Sequence, residues 1–197
     1  MKKTTIGILG GSFDPIHKAH TELAKAAFVQ CALDKLLFIP ARQAALKEQN
    51  VCANAQERLD MLQMVIQKLP INSEIETVEL SRSGISYSID TAKYLKEKYP
   101  DCRLIWIIGS DHIEKLSKWK DIEQLCKIVE FACAQRPKNP IHSDNAPKNA
   151  KISFIDFEPL DISSTEIRNR IFQKKNLESF LDDDIISYIN KNKLYSK

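Results

Sequence analysis

Short apolar runs and amphipathic stretches alternate along the chain, and this alternation predicts its secondary structure. Runs of strand length that are β-branched, alternating or closed by glycine or proline predict strands at 4–9, 35–40, 73–80, 102–109, 128–134 and 151–157. Apolar residues at helical spacing predict helices at 17–32, from Asn54 onward, and at 89–99, 121–127, 164–173 and 183–192. Alternating strands and helices favour an α/β fold of three layers, with a central parallel sheet and helices on both faces.

Two of the predicted helices begin with a capping pattern. Asn54 is followed three residues later by Glu57, and Ser163 is followed by Glu166 in the same way. In such a pair the first side chain accepts a hydrogen bond from the backbone of the second residue. The acidic side chain accepts one in return from the backbone of the first.

Glycines follow two predicted strands at the ends where a parallel sheet binds ligands. Gly10 and Gly11 close the first strand, and Gly109 closes the fourth. In open parallel sheets a ligand binds beyond the carboxyl ends of the strands, where the strand order reverses. We therefore expect the binding site beside these glycines.

Composition limits the class of protein. The chain has 197 residues, of which 43% are hydrophobic and 28% charged, and its net charge is +3. This balance is typical of a globular protein and gives no sign of a nucleic-acid partner. No apolar run approaches the roughly 18 residues of a membrane span, so we expect no membrane segment.

Length and cysteine spacing add expectations about organisation. The length fits one domain over 1–197, in which 159–197 forms a C-terminal helical portion. The five cysteines include no C-x-x-C pair, so we expect reduced thiols and a cytoplasmic protein. A homo-oligomer is compatible with the sequence, which does not decide the oligomeric state.

The segment "GILGGSFDPIHKAH" (7–20) has the form of a phosphate-binding turn. A strand, a glycine turn and a helix start present backbone N–H groups to an anion. His17 and His20, three residues apart, share one helical face, where two imidazoles can donate hydrogen bonds to phosphate oxygens. A histidine with no ligand is an alternative for each, and so is a zinc pair, although no third ligand stands at a recognised spacing.

The glycine spacing argues against two common nucleotide sites. The pattern is G-x-x-G-G rather than G-x-G-x-x-G, and the second predicted strand ends in Ile39 and Pro40 rather than in an acidic residue. The lysine of a P-loop is absent as well. A hydride-transfer enzyme is therefore not expected.

Several motifs together resemble a known family. "GGSFDPIHKAH" is similar to the first signature of the nucleotidyltransferase superfamily, and "ISSTEIR" (162–168) to its second. "ELSRSGISYSIDT" (79–91), "IIGSDHIEKLSKW" (107–119), "AQRP" (134–137) and "IISYINKNKLY" (185–195) resemble the bacterial nicotinate mononucleotide adenylyltransferases in particular. Pantetheine-phosphate adenylyltransferases share the two end motifs but are shorter and lack the middle segments.

The resemblance implies a Rossmann-like nucleotidyltransferase fold and adenylyl transfer. ATP and nicotinate mononucleotide would be the substrates, in the synthesis of NAD, and Mg²⁺ would accompany ATP without a metal site built by the protein. The resemblance implies catalytic roles for His17, His20 and Arg168. It implies ATP binding by Gly10, Gly11, Ser12, Phe13, Gly109, Asp111, Ile162, Ser164 and Thr165. For Asp111 an N-cap of the following helix is the alternative.

The resemblance also implies a site for the mononucleotide. Its residues would be Lys47, Tyr87, Ser88, Thr91, Trp119 and Arg136. Backbone around Tyr87 and Ser88, at a predicted helix start, would bind the nicotinate carboxylate, and Trp119 would stack on the pyridine ring. A core position for Trp119 and a capping role for Ser88 are the alternatives.

One residue departs from the family pattern. The family has glycine in H-x-G-H where this chain has Ala19, and its methyl group is expected either to crowd the nucleotide or to be accommodated by a small shift. Three rival functions stay open, and Ala19 motivates the last of them. They are preference for nicotinamide mononucleotide, transfer to pantetheine phosphate or a cytidylyl transfer, and a nucleotide sensor without catalysis.

Overall fold

A parallel sheet forms the centre of the computed structural model, which describes residues 3–43, 51–135, 146–158 and 162–196. Within that part of the chain the sheet has six strands: β1 (Thr5–Gly11), β2 (Lys35–Pro40), β3 (Ser73–Ile75), β4 (Arg103–Gly109), β5 (Glu130–Gln135) and β6 (Ile152–Asp156). Their order is β3-β2-β1-β4-β5-β6, and every neighbouring pair is parallel. The predicted α/β class is confirmed.

Helices cover both faces of this sheet. They are α1 (Lys18–Gln30), α2 (Ala55–Ile66), α3 (Val78–Ser81), α4 (Ser88–Lys98), α5 (Ser110–Ile113), α6 (Ile122–Ile128), α7 (Ser164–Phe172) and α8 (Asp183–Lys191), with a 3₁₀ turn at Leu116–Lys118. Among the helices that these described residues form, none combines the length and apolar character needed to cross a membrane.

The strand order reverses beside β1. β1 pairs with β2 on one side, where Gly10 lies opposite Ile39, and with β4 on the other, where Leu9 lies opposite Ile107. The carboxyl ends of β1 and β4 therefore lie side by side at the switch point of the sheet, which is where ligands bind in such folds.

Alternation along β1 divides the core into two layers. Ile6 and Ile8 pack with Trp106 on the face covered by α4 and α6. Leu9 packs on the other face with buried residues of α1, α2, α7 and α8. Because successive side chains of a strand point to opposite faces, Gly10 falls on the first face and Gly11 on the second.

One predicted strand is largely wrong. The sequence predicts a strand at 73–80, but β3 ends at Ile75 and the short helix α3 begins at Val78. Glu76 causes the break, since its buried carboxylate accepts the backbone N–H of Val78 at 3.1 Å. A side-chain acceptor for the next N–H groups competes with the strand ladder and favours a turn. A smaller difference is that Ile128 ends α6, so β5 begins only at Glu130.

The two capping predictions have different outcomes. At α2, Asn54 accepts from the Glu57 N–H at 3.0 Å, and Glu57 accepts from the Asn54 N–H at 2.7 Å, so the box is complete. At α7, Ser163 accepts from the Glu166 N–H at 3.2 Å. The Glu166 carboxylate instead pairs with Arg170 at 2.9 Å, because that residue lies one turn along the same helix face.

Candidate active site

The turn between β1 and α1 is held by a buried aromatic ring. Phe13 is 1% exposed and has a φ of 47°, which is the left-handed region. Its ring lies edge-on to His20 at 5.1 Å and packs with Phe38 at 5.9 Å. A Cβ on Gly11 would come within 3.2 Å of this ring, so a larger residue there would require the Phe13 ring to shift.

His17 and His20 lie together at the start of α1. Their ring centroids are 3.7 Å apart and their planes are inclined by 33°. His17 occupies the N-cap with an extended backbone, so the helix begins at Lys18, one residue later than predicted. The backbone N–H of His17 donates to Nδ1 of His20 at 3.3 Å, which fixes the orientation of the second ring.

The amide groups of this helix start are partly engaged within the protein. The N–H of Lys18 donates to the carbonyl of Phe180 at 2.9 Å, and that of His20 donates to the carbonyl of His17 at 2.9 Å. The Lys18 ammonium also donates to the carbonyl of Glu178 at 2.6 Å. The helix terminus therefore offers fewer free N–H groups to an anion than the sequence predicts, and more of that task falls to side chains.

Arg168 reaches the same turn from α7, about 150 residues later in the sequence. Its Nη1 donates to the carbonyl of Asp14 at 2.8 Å, and its Nη2 donates to Oγ1 of Thr165 at 3.2 Å. Oγ of Ser164 donates to the carbonyl of Pro15 at 3.0 Å. The two ends of the chain that carry the predicted ATP residues are thus joined by direct hydrogen bonds.

Asp14 lies at the centre of this junction, a role that the sequence analysis missed. The carboxylate, on a residue only 2% exposed, accepts the N–H groups of Cys52 at 2.7 Å and Ala53 at 3.0 Å. It also accepts the hydroxyl of Tyr195 at 2.8 Å, and its Oδ2 lies 3.8 Å from Nη1 of Arg168. Three hydrogen bonds and a nearby guanidinium compensate this buried carboxylate for its lost hydration.

Arg58 is a second residue that the sequence analysis missed. It is 1% exposed, and its Nη1 donates to the carbonyls of Ser12 and Ala41, at 2.7 Å each. Burial lowers the pKa of this guanidinium, and the Asp14 charge partly restores it. Arg58 therefore ties the segments after β1 and β2 together. The sequence did contain an indication, since an arginine stands on the apolar face of α2 beside Met61, Leu62 and Val65.

The predicted mononucleotide residues lie around the start of α4. Tyr87 is the N-cap and Ser88 the first helical residue, so the capping alternative for Ser88 is wrong. The Lys120 ammonium lies over the Tyr87 ring, 4.2 Å from its centroid. Thr91 is fully buried and its hydroxyl donates to Glu79 at 2.8 Å.

Glu79 holds the start of α4 through hydrogen bonds from inside the protein. Burial raises the pKa of its carboxyl group, while hydrogen bonds from Thr91 and Ser86 act in the opposite direction. Arg82 donates to the carbonyl of Asp90 at 3.2 Å and to Oγ1 of Thr91 at 3.4 Å. Thr91 thus holds the loop from within, whereas the sequence analysis expected it at the ligand.

Trp119 packs against aromatic and histidine rings. It lies edge-on to Trp106, His112 and Phe131 at 6.1–6.3 Å. Its indole N–H is buried and has no hydrogen-bond partner among the described residues. The observed contacts of Trp119 are those of a core residue, as in the alternative interpretation. Its stacking on the pyridine ring stays a prediction.

The remaining predicted residues are placed as follows. Ser12 is buried, and Gly10 is exposed, with Trp106 at 3.7 Å from the position of a Cβ. Gly109 is the N-cap of α5, so an N-cap role for Asp111 is wrong. Ile162 is half-buried and packs on the core beside α7. Lys47, Arg136 and the side chain of Asp111 lie outside the described residues.

The structure gives no sign of a metal cage in the part of the chain that it describes. No group of three or more histidine, cysteine, aspartate or glutamate side chains converges there. The Asp14 carboxylate, which the first motif supplies, is already surrounded by protein donors. Two surface pockets lie away from the motifs, beside Val29 and Phe157 and at the opposite end of the sheet near Lys151.

Comparison with known proteins identifies the family. A family model of cytidylyltransferase-like domains matches residues 8–170. A probable nicotinate-nucleotide adenylyltransferase of Listeria monocytogenes is 40% identical over 195 residues, which are 99% of each chain. The nicotinate-nucleotide adenylyltransferase of Bacillus subtilis is 35% identical over 99% of each chain. This chain belongs to the nicotinate-nucleotide adenylyltransferase family.

A solved structure shares the fold of this adenylyltransferase-family chain. The nicotinic acid mononucleotide adenylyltransferase of Plasmodium falciparum, complexed with NaAD, superposes with a TM-score of 0.82 at 24% identity. The match covers 98% of this chain and 97% of that one. The Rossmann-like nucleotidyltransferase fold is confirmed, and so is the family that the middle and C-terminal segments indicated together with the two end motifs.

Proposed function

We propose that this protein transfers the adenylyl group of ATP to nicotinate mononucleotide, giving nicotinate adenine dinucleotide and pyrophosphate. The observation that carries the proposal is the meeting of the two imidazoles, 3.7 Å apart, and Arg168 on one turn at the switch point of the sheet. Full-length identity of 35–40% to nicotinate-nucleotide adenylyltransferases supports this acceptor over others.

The reaction needs charge stabilisation rather than an activating base. A phosphate oxygen of the mononucleotide attacks the α-phosphorus of ATP, and the bond from that phosphorus to the oxygen bridging to the β-phosphate breaks. The nucleophile is already an anion, so the protein contributes by positioning the reactants and by neutralising charge. His17 and His20 would donate to the phosphate oxygens as negative charge develops.

Arg168 would complete this set from the opposite side. Two of its N–H groups hold Asp14 and Thr165, and a guanidinium has five donors. The others remain for the leaving pyrophosphate, with a charge that does not depend on pH. Ser164 and Thr165, at the start of α7, would line the same side.

Mg²⁺ is proposed to enter with ATP. Magnesium commonly keeps several waters and binds substrate phosphates with few protein carboxylates, which fits a site whose buried Asp14 is occupied by protein donors. The ion would neutralise charge on the pyrophosphate.

The acceptor would lie against the start of α4. Backbone near Tyr87 and Ser88 would hold the nicotinate carboxylate, with Glu79 and Thr91 fixing that backbone from inside. Trp119, Lys47, Arg136 and Asp111 keep their predicted ligand roles as part of the proposal. Free thiols at each of the cysteines fit the proposed cytoplasmic location.

Pyrophosphate release from ATP tests the proposal. The purified protein is given nicotinate mononucleotide, nicotinamide mononucleotide or pantetheine phosphate, and CTP replaces ATP in a further arm. We expect release with ATP and the nicotinate, at the highest kcat/KM of the panel. Equal or better use of nicotinamide mononucleotide would overturn the choice of acceptor. Product formed only with pantetheine phosphate or only with CTP would assign the protein a different transfer reaction. ATP binding without pyrophosphate release would favour a nucleotide sensor.

A further inference from the structure

Three segments that are distant from Asp14 in sequence meet at its buried carboxylate. The N–H groups of Cys52 and Ala53, the hydroxyl of Tyr195 and the guanidinium of Arg168 all face it. Only Arg168 among these is a proposed catalytic group. The other contacts fix where the carboxylate lies, and its Oδ2 faces Nη1 of Arg168 at 3.8 Å.

The two contacts between Arg168 and Asp14 differ in length. Nη1 donates to the backbone carbonyl at 2.8 Å, whereas the carboxylate oxygen Oδ2 is 3.8 Å away. Arginine and a carboxylate normally form short, often bidentate hydrogen bonds. Here the carboxylate is already supplied with donors, so the guanidinium is held by the carbonyl and is not drawn into a tight pair.

Tyr195 supplies one of those donors through an unusual end of α8. The helix closes with Lys193 at a φ of 53°, and the N–H of Leu194 returns to the carbonyl of Ile189 at 3.0 Å. This is a Schellman ending, a place where glycine is usual. Tyr195 itself has a φ of 60°, and such a conformation persists only where surrounding contacts enforce it.

Contacts of the Leu194 and Tyr195 side chains hold this backbone conformation. Leu194 is buried in the core, and the Tyr195 hydroxyl donates to Oδ1 of Asp14 at 2.8 Å. Burial and the Asp14 charge raise the pKa of Tyr195 far above its usual range. The hydroxyl therefore stays a neutral donor at any working pH.

We propose that Tyr195 is a positioning residue for Arg168, acting through the carboxylate of Asp14. By holding Oδ1, its hydroxyl fixes the orientation of the carboxylate, so that Oδ2 stays 3.8 Å from the guanidinium and Arg168 remains available to the ATP phosphates. Loss of that hydroxyl lets Arg168 close onto Asp14. The inference rests on the proposed function, in which Arg168 acts on those phosphates.

Tyr195→Phe tests this inference against a matched control. Tyr188 lies on the preceding helix, and its hydroxyl donates to a carboxylate of Asp60 at 2.7 Å, so Tyr188→Phe removes the same group outside the site. We expect Tyr195→Phe to lower kcat and ATP affinity about 10- to 100-fold, as small misplacements of catalytic groups do. The KM for the mononucleotide should change less than about twofold, since no part of that site is touched. Tyr188→Phe should leave kcat and ATP affinity unchanged, and both variants should lose similar thermal stability.

A double-variant cycle decides whether the effect passes through Arg168. In an Arg168→Ala background, Tyr195→Phe should cause no further loss of kcat or of ATP affinity, because coupled residues are non-additive. Losses that multiply would overturn the inference, and so would a Tyr195→Phe enzyme with normal kcat and ATP affinity. Arg168→Lys serves the same purpose if the alanine variant does not fold.

The two proposals fail in different ways. A wild-type protein that releases no pyrophosphate with any acceptor contradicts the proposed function, while ATP affinity still measures the coupling of Tyr195 to Arg168. An active wild type with an additive cycle contradicts only the inference.

Discussion

At the residue scale, the side chains in the turn between β1 and α1 are positioned by the residues that they contact. His17 and His20 were predicted to share a helix face. In the structure His17 lies at the N-cap, and its ring contacts that of His20, whose Nδ1 accepts the His17 backbone N–H. In the proposed reaction, the two imidazoles would act as a preorganised donor pair for the developing phosphate charge.

Removing the first imidazole should affect turnover more than binding. We expect His17→Ala to lower kcat by about 10²–10³-fold, the usual cost of one preorganised donor, with a smaller change in KM for ATP. Steady-state kinetics of pyrophosphate release measure both constants.

His17→Asn separates the donor role from helix capping. Asparagine is a favourable N-cap, so this variant should keep the thermal stability that His17→Ala loses and still turn over slowly. Wild-type turnover in either variant would remove His17 from the catalytic set.

Ala19 tests the departure from the family motif. Ala19→Gly removes the methyl group beside the two histidines, and we expect kcat/KM for ATP to stay equal or to rise. Glycine in a helix is less favourable than alanine by up to about 1 kcal/mol, so unfolding by urea should show slightly lower stability.

Ala26 provides the matched substitution on the same helix. It is half-buried like Ala19 but lies two turns away, beside a surface pocket. Ala26→Gly should carry the same helix cost with unchanged kinetics. A clear loss of activity in Ala19→Gly alone would show that the methyl group is required.

At the scale of elements, α8 is docked by two tyrosine hydroxyls that donate to carboxylates. Tyr188 reaches Asp60 on α2, and Tyr195, just beyond the helix, reaches Asp14 in the turn after β1. The apolar side of the helix adds the buried Ile185 and Ile189. A helix at the end of the chain thereby becomes part of the wall of the proposed active site.

This docking should make stability fall at alkaline pH. Burial and the hydrogen bond to Asp60 raise the pKa of Tyr188 to about 12, above the value of about 10 in an unfolded chain. The contribution of the Tyr188 hydroxyl to the free energy of unfolding is complete below pH ~10 and is lost as the pH rises through about 12. The reason is that this hydroxyl ionises at a lower pH in the unfolded chain than in the folded one. Urea unfolding at pH 8 to 12 measures the slope.

Tyr188→Phe should flatten this slope over the same pH range. The phenylalanine variant has no hydroxyl to ionise at that position, so its stability relative to wild type should improve as the pH rises. Parallel pH profiles for the two proteins would mean that the hydroxyl does not couple to folding.

At the scale of the whole molecule, the parallel sheet brings the two signature motifs to one edge. Ser12 to His20 and Ser164 to Arg168 are joined by the hydrogen bonds from Ser164 and Arg168 to the turn. A ligand held by both segments should therefore stabilise both, although they are far apart in sequence.

ATP should stabilise the protein as one unit. At about 100 times its Kd, a ligand adds ~2.7 kcal/mol to the free energy of unfolding, which for a chain of this size raises Tm by about 5–10 °C. Hydrogen exchange should show protection at the start of α1 and at the start of α7 together.

Arg168→Ala is the reference for that experiment. Its Tm should rise less at the same ATP concentration, and protection should shrink in both segments. Protection confined to α1, with an undiminished Tm shift in the variant, would show that ATP does not bridge the two ends.

Local physical rules explain how much could be predicted from the sequence. The apolar periodicity located the strands and most helices, since burial of one face requires it. The glycine turn and the two histidines could be located because they lie within a few adjacent residues, whereas their binding of an anion stays a prediction. The failure at 73–80 came from Glu76, whose buried carboxylate overrides an alternating pattern.

The sequence by itself determined the α/β class, the glycine turn between β1 and α1 and, by its motifs, the family, because each depends on residues that are close along the chain. Tertiary structure alone decided that Asp14 gathers Arg168 and Tyr195, that Arg58 ties the ends of two strands, and that Thr91 supports its loop from inside. These are contacts between distant segments around buried polar groups. Such groups must find partners wherever the fold supplies them, and no local pattern records which partner that will be.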